Sequence, residues 1–211
     1  LKNLYKILKK SHAAEPPRDQ PELRKLFKSQ WKDVLNKTYR DLGGMFDPAL
    51  INTESFDLQT ERFLLILDGP ISFNRYRLIA LRSPIYDKLP GFDIEKLRLY
   101  CRKYERECIK TGLAYPYWTN PLAEEHFGKA ELPGDLVKNG APGWKFKVYQ
   151  DFLQDAWAAF AGRRLLRLSV WDEFLYQGKI SNLNEALLSP DAPTEEAILK
   201  YIERRIFKLY Q

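Results

Sequence analysis

The sequence predicts an α/β protein, and three observations lead to that class. "FLLIL", residues 63–67, is a short unbroken apolar run that ends at Asp68-Gly69. It does not alternate, so both of its faces need cover, as in a central strand of a mixed or parallel sheet. A second strand-like run, "RLLRLSVWDEFLY" at residues 164–176, comes much later. Around the two lie segments with apolar residues at helical spacing, and strands separated by helices define the class. The expected architecture is a mixed central sheet flanked by helices, with extra helices at both ends.

Residues 1–10, "LKNLYKILKK", read as a short basic amphipathic helix. They carry neither an apolar h-region nor a small-residue cleavage site, so they are not read as a signal peptide. "SHAAEPPRDQP" follows with three prolines and no apolar period, the mark of a linker. The expected division is an N-terminal helix and Pro-rich linker over residues 1–18 and one domain over residues 19–211. Residues 22–42 carry one helical stripe through Leu23, Leu26, Phe27, Trp31, Val34, Leu35 and Tyr39, stopped by Gly43-Gly44. Residues 45–61 hold Asp-Pro and Asn-Thr turn signals, with room for two short strands. Gly69-Pro70 then breaks the central strand, Ser72 caps a helix over residues 73–82, and Pro84 ends it. Residues 93–111 read as one charged helix with Leu97, Tyr100, Cys101, Tyr104 and Cys108 on its apolar line. Residues 112–143 are rich in loop signals: "YPYWTNP", "LPGD" and "NGAPG". An amphipathic helix over residues 145–161 follows, with Gly162 as its stop. Thr194 caps a last helix whose acids, Glu195 and Glu196, open it and whose Arg204, Arg205 and Lys208 lie near its end, an order that suits the helix dipole.

A chain of 211 residues can bury a sizeable core of its own. Its 34 Lys+Arg against 28 Asp+Glu give a net +6, which permits a polyanionic partner without requiring one. Cys101 and Cys108 are too few for a disulfide scaffold. Seven apart on a helix, they would lie roughly 10 Å apart, beyond disulfide reach. The expectation is a reducing cytoplasm. The apolar run at residues 63–67 is far too short for a membrane span, so no membrane partner is expected. Cys101, Cys108 and His126 match no compact zinc spacing, and the cysteines read as small core residues. His12 sits in the linker. The sequence has no Gly-rich phosphate loop, nucleophile elbow or HExxH, and no organic cofactor is expected.

The chemistry-bearing stretch is "SFDLQ…RFLLILDGPISFNRYR", which delivers Asp57 and Asp68. Two carboxylates gathered at the end of a buried strand can hold Mg²⁺, which activates a water and neutralises charge on a phosphodiester. Asp57 and Asp68 can equally be turn residues, since Asp-Gly after a strand is a frequent turn. The pattern resembles the PD-(D/E)XK, or restriction-endonuclease-like, superfamily, nearest the subgroup with an E-x-D-G-x-x-H motif found in very-short-patch mismatch repair endonucleases. "SFNRYRLIALRSPIY" also resembles an "HFNRYR…RSPxY" stretch of an uncharacterised bacterial family. The resemblance is clearest over residues 54–112. It implies a restriction-endonuclease-like core, a nucleic-acid partner (DNA before RNA), a role in bacterial or phage defence or repair, and Mg²⁺ on Asp57 and Asp68. Lys145 would stand in for the superfamily's catalytic lysine.

Two positions depart from that pattern. Ile66 stands where the motif has a glutamate, and Ser72 stands where it has a histidine. Isoleucine ligates no metal, and a serine without an activating partner is no general base near neutral pH. Glu54 or Glu61 can replace the missing acid. The leading expectation is therefore a nucleic-acid-associated protein whose metal site is degenerate and whose hydrolytic activity is weak or lost. An active Mg²⁺-dependent endonuclease using Asp57 and Asp68 is one alternative, and a protein–protein interaction module is another. Arg75, Arg77 and Arg82 beside Tyr76 are candidate phosphate contacts, or else a solvated helix face. Lys145 and Lys147 open a helix, where they can hold an anion or form an exposed first turn. In the inactive version, Arg75, Arg82 and the aromatic loop at residues 115–118 carry the binding.

Overall fold

In the computed structural model of the chain, which describes residues 1–17 and 21–211, a three-stranded mixed sheet lies between two helical layers. Its middle strand, β2 (Leu64–Asp68), pairs antiparallel with the two-residue β1 (Leu58–Gln59) and parallel with β3 (Leu165–Ser169). The expected doubly buried strand is thus observed, and its neighbours explain it: helices cover both faces. Parallel strands need a crossover. Here it is nearly the whole middle of the chain: α4 (Arg75–Ala80), α5 (Ile94–Lys103), α6 (Glu105–Gly112), α7 (Pro121–Phe127) and α8 (Pro142–Phe160).

The alternation along β2 and β3 divides the core in two. Leu64, Ile66 and Leu165 face α8, joined by α2 (Leu23–Phe27) and α3 (Lys32–Asp41). Leu65, Leu166 and Leu168 face the opposite layer. That layer is built by α1 (Lys2–His12) and α10 (Ala192–Lys208) through Leu4, Leu8, Ile198 and Ile202. Each such side chain contributes about 1.5–3 kcal/mol by leaving water. The N-terminal helix is therefore part of the packed body, and Asn3 Nδ2–H donates to Leu187 O at 2.8 Å. The boundary expected between residues 18 and 19 lies outside the described residues.

α8 is the spine of the larger core. It is buried nearly all round, its polar residues Lys145, Asp151, Gln154 and Asp155 included. It starts with Pro142 at its first position and ends where Gly162 takes φ +62°, with Arg163 N–H donating to Ala158 O and capping the end.

Several elements differ from expectation. The helix expected over residues 22–42 is broken into α2 and α3, because Ser29 intervenes: its hydroxyl donates to Leu26 O and accepts from Trp31 N–H, offering the backbone an alternative to the helix. The helix expected from residue 73 begins at Arg75, capped by Asn74, whose side chain accepts from Tyr76 and Arg77 N–H. Ser72 instead sits in a preceding turn of 3₁₀ helix, Pro70–Ser72. The charged helix over residues 93–111 is two helices that meet at Tyr104. Residues 45–61 yield one short strand, β1, and a 3₁₀ turn, Pro48–Leu50. The run at residues 164–176 is two strands in different sheets. Val170–Asp172 turns the chain, and β4 (Glu173–Tyr176) pairs with β5 (Lys179–Asn182) in a hairpin followed by α9 (Leu183–Leu188). The last helix is capped by Asp191, which accepts from Thr194 N–H, and not by Thr194.

Candidate functional site

The end of β2 opens onto a buried layer of charge. Asp68 shares the α8-facing side of the sheet with Ile66, and Arg167 of β3 lies on the same side, diagonal to it across the parallel pair. Arg167 is hydrogen-bonded to Asp68 and donates through Nε to Asp155 Oδ1 at 2.7 Å. α8 presents Asp151 and Asp155 one turn apart, hence on one stripe. Arg77, placed by the Asn74 cap of α4, donates to Asp155 Oδ2 at 2.8 Å and lies 3.5 Å from Asp151 Oδ2. Tyr86 O–H donates to the same Asp155 oxygen at 2.9 Å. Lys147 donates to Asp151 Oδ1 at 2.6 Å and lies 3.8 Å from the exposed Glu54, so this end of the layer reaches toward the surface.

Three carboxylates meet three cations here, so the layer is neutral when fully ionised. Five of its members are almost wholly buried, Asp155 at 0% and Arg77 at 2% exposure, while Lys147 is partly exposed. Burial raises the Asp68 carboxyl most, Arg167 and Arg77 pull it back, Asp151 and Asp155 push it further, and it stands at about 6. Burial would likewise raise Asp151, but Lys147, Arg77 and Arg167 hold it below the usual carboxylate range. The arrangement ties α4, α8, β2 and β3 together.

The residues singled out in the sequence divide accordingly. Asp68, Arg77 and Lys147 enter the layer. Asp57 does not: its carboxylate accepts from Leu67 N–H at 2.7 Å and its own N–H donates to Leu65 O, so it extends the β1 side of the ladder. Asp68 is engaged from β3, on the other side of β2. The two carboxylates thus have different owners, and among the described residues no three His, Cys, Asp or Glu gather to hold an ion. The residues present do not fit a Mg²⁺ ion. Glu54 sits beside Lys147, Ile66 is part of the apolar core, and Ser72 is buried with its N–H donating to Gly69 O.

Lys145 is apart from this layer. Its ammonium donates to Asn139 Oδ1 at 2.7 Å and lies 5.4 Å from the Tyr76 ring, and burial lowers its pKa. Arg75 is clamped by Glu105 through two bonds of 2.9 Å. Of the expected phosphate contacts, Arg82 is exposed and without a side-chain partner among the described residues. Cys101 and Cys108 are free, buried thiols pushed up to about 12 by burial, while His126 meets Tyr39 O–H through Nδ1 at 2.8 Å.

Sequence reasoning missed Asp151, Asp155 and Arg167. Their signal was present: Lys147, Asp151 and Asp155 spaced by four along one row of a largely apolar helix, and one arginine inside "LLRLS". A charge that cannot reach water must find an opposite charge.

The other conspicuous feature is outside. Residues 113–137 display Tyr115, Tyr117, Leu122, Leu132 and Val137 to solvent, Leu132 at 78% exposure. The segment is nonetheless tied down. Trp118 is buried and its Nε1–H donates to Glu131 O at 2.9 Å, Gly143 N–H donates to Trp118 O, and Glu131 N–H donates to Gly140 O. These bonds set residues 115–118 beside residues 131–140. α7 stands between them in sequence, capped by Asn120 through Ala123 N–H. Glu124, Glu125, Glu131 and Asp135 against Lys129 give this segment a net −3, in a chain of net +6.

Fold and site together define a mixed α/β protein with a buried ionic layer and an exposed apolar, mildly acidic segment at residues 113–137. The chain belongs to a family of unknown function, DUF7255, whose model matches residues 37–189, a span that includes β1, β2, β3, α8 and the apolar face. Against curated proteins and against solved structures, the chain has no match. Among the described residues, no helix is long and apolar enough to cross a membrane.

Proposed function

We propose that this chain is a non-catalytic binding protein that docks a partner protein on the face formed by residues 113–137. One observation carries the reading: apolar side chains held outward by a hydrogen-bonded loop framework, on a segment of net −3. Large side chains left in water without need are unusual in such a cluster, and ordered Tyr and Leu lose little freedom on contact. The negative sign favours a partner whose contact surface is apolar with a basic surround, and it opposes a phosphate backbone. The internal ties of Arg75, Arg77 and Lys147 argue in the same direction, because they take three of the candidate phosphate contacts and leave only Arg82 of that set.

The test has two arms. A partner captured by the wild-type chain is purified and titrated against it and against a Tyr115→Ser, Leu132→Ser, Val137→Ser variant. The reading expects the variant to lose at least about tenfold in affinity. In the second arm, the chain is titrated with double- and single-stranded DNA over a salt series, with and without Mg²⁺. Salt-sensitive DNA binding indifferent to the triple variant would replace this reading with the nucleic-acid one. Mg²⁺-dependent cleavage abolished by Asp68→Asn would replace it with the nuclease one.

A further inference from the structure

A groove of about 430 Å³ runs between α3 and the end of α4. Val34, Lys37 and Asp41 form one wall, and Ile79, Arg82 and Ser83 form the other. Its volume falls within the range of small-molecule sites. We propose that it binds an organic carboxylate: a single negative charge carried on an apolar body, with Arg82 as the anchor.

Three features point to that chemistry. First, Arg82 stands out among its neighbours. Arg75 is held by Glu105, Arg77 by Asp155, and Arg98 by Glu95 and Leu81 O, whereas the Arg82 guanidinium has no side-chain partner among the described residues. A guanidinium is a planar donor fork that matches a carboxylate in two parallel bonds. Second, the Ser83 hydroxyl next to it is buried and has no hydrogen-bond partner among the described residues. An unsatisfied buried hydroxyl is unfavourable; Ser83 lines the groove with its hydroxyl sealed from it, and turning about the Cα–Cβ bond is the movement by which a bound acceptor would relieve it. Third, Val34 and Ile79 supply apolar wall at the same place.

The charge decides between the possible anions. Lys37 and Arg82 against Asp41 leave the groove at +1, and Lys37 is already bound to Asp41 at 2.6 Å. A monoanion neutralises that charge. A phosphate monoester, close to −2 at neutral pH, would set its second charge against Asp41.

The experiment is calorimetric titration of the full chain with 3-phenylpropionate, 3-phenylpropionamide and phenyl phosphate. The site predicts saturable binding of 3-phenylpropionate at about 1 mM or tighter, and at least about tenfold weaker binding of the amide. Phenyl phosphate should bind no more tightly than the carboxylate. Arg82→Gln, at an exposed position, should leave the fold intact by circular dichroism and weaken 3-phenylpropionate about tenfold. Ser83→Ala should weaken it several-fold without lowering the melting temperature, since the hydroxyl contributes no bond to the unliganded fold. The proposal is overturned if binding does not saturate, if acid and amide bind alike, if phenyl phosphate binds more tightly, or if Arg82→Gln leaves the affinity unchanged.

Discussion

On the side of the sheet that α1 and α10 cover, Leu65, Leu166 and Leu168 meet Leu4, Leu8, Ile198 and Ile202, all of them buried and apolar. On the side that α8 covers, the same two strands present Asp68 at the end of β2 and Arg167 in the middle of β3, and the helix answers with Asp151, Gln154 and Asp155. Apolar contact is non-directional, so the first side tolerates changes of shape that keep volume. The second side is directional. Arg167 and Asp68 meet only in the observed register, and a slip of one residue would turn Arg167 toward the apolar face. The difference separates net stability from intolerance to change. A buried ionic layer adds little stability beyond well-packed apolar groups, yet removal of one member strands the rest.

The sharpest test of this contrast is Asp155→Ala. Asp155 accepts from Arg77, Arg167 and Tyr86, so its loss leaves two buried guanidinium groups short of a carboxylate. The expected cost is about 3–5 kcal/mol in urea unfolding. A cost under about 1 kcal/mol would mean that water reaches the layer and that its directionality is unimportant. On the apolar side, Leu166→Ala should cost about 2–5 kcal/mol through lost transfer energy and a residual cavity, while Leu166→Met should cost less than about 1.5 kcal/mol. Equal costs for the two substitutions would erase the difference between the faces.

Asp68→Asn is expected to be milder, about 1–2 kcal/mol at neutral pH, because Arg167 keeps Asp155 and Asp151 O. Its pH dependence identifies the charge. The Asp68 carboxyl stands at about 6 in the fold, above the ordinary value of about 3.9. Its contribution is therefore full below about pH 4 and lost as pH rises through about 6. Urea unfolding at a series of pH values should show wild type gaining on Asp68→Asn as pH falls from about 7 to about 4.5. Asp151, held below its ordinary value, works the other way, and its contribution is lost only at still lower pH. The smallest effect belongs to the outer face. Tyr115→Ser or Leu132→Ser should shift stability by no more than about 0.5 kcal/mol, as expected for exposed positions with no structural duty. A larger loss would make the face a structural element rather than a docking surface.

The parts of the fold visible in the sequence are those set by near neighbours. The doubly buried β2, the class, the long α8 and its stop at Gly162 all follow from local period and turn chemistry. The breaks at Ser29 and Tyr104 were hidden, because the apolar stripe runs across both. Asn74 and Asp191 were within reach as caps, and the choice of Ser72 and Thr194 instead shows how little separates neighbouring polar residues when only propensity decides. The candidate site was legible in part. Asp68, Arg77 and Lys147 stood out as residues of consequence, but their partners did not.

The sequence by itself determined the mixed α/β class, the doubly buried β2 as the central strand, and the long α8 with its stop at Gly162. Only the tertiary structure decided what the charges do. Arg77 meets Asp155 across 78 residues, and Asp68 meets Arg167 across 99. Helical and strand periods are local properties of the chain. Neutralising a buried charge depends on which distant element the crossover returns to the same face of the sheet, and no local pattern records that.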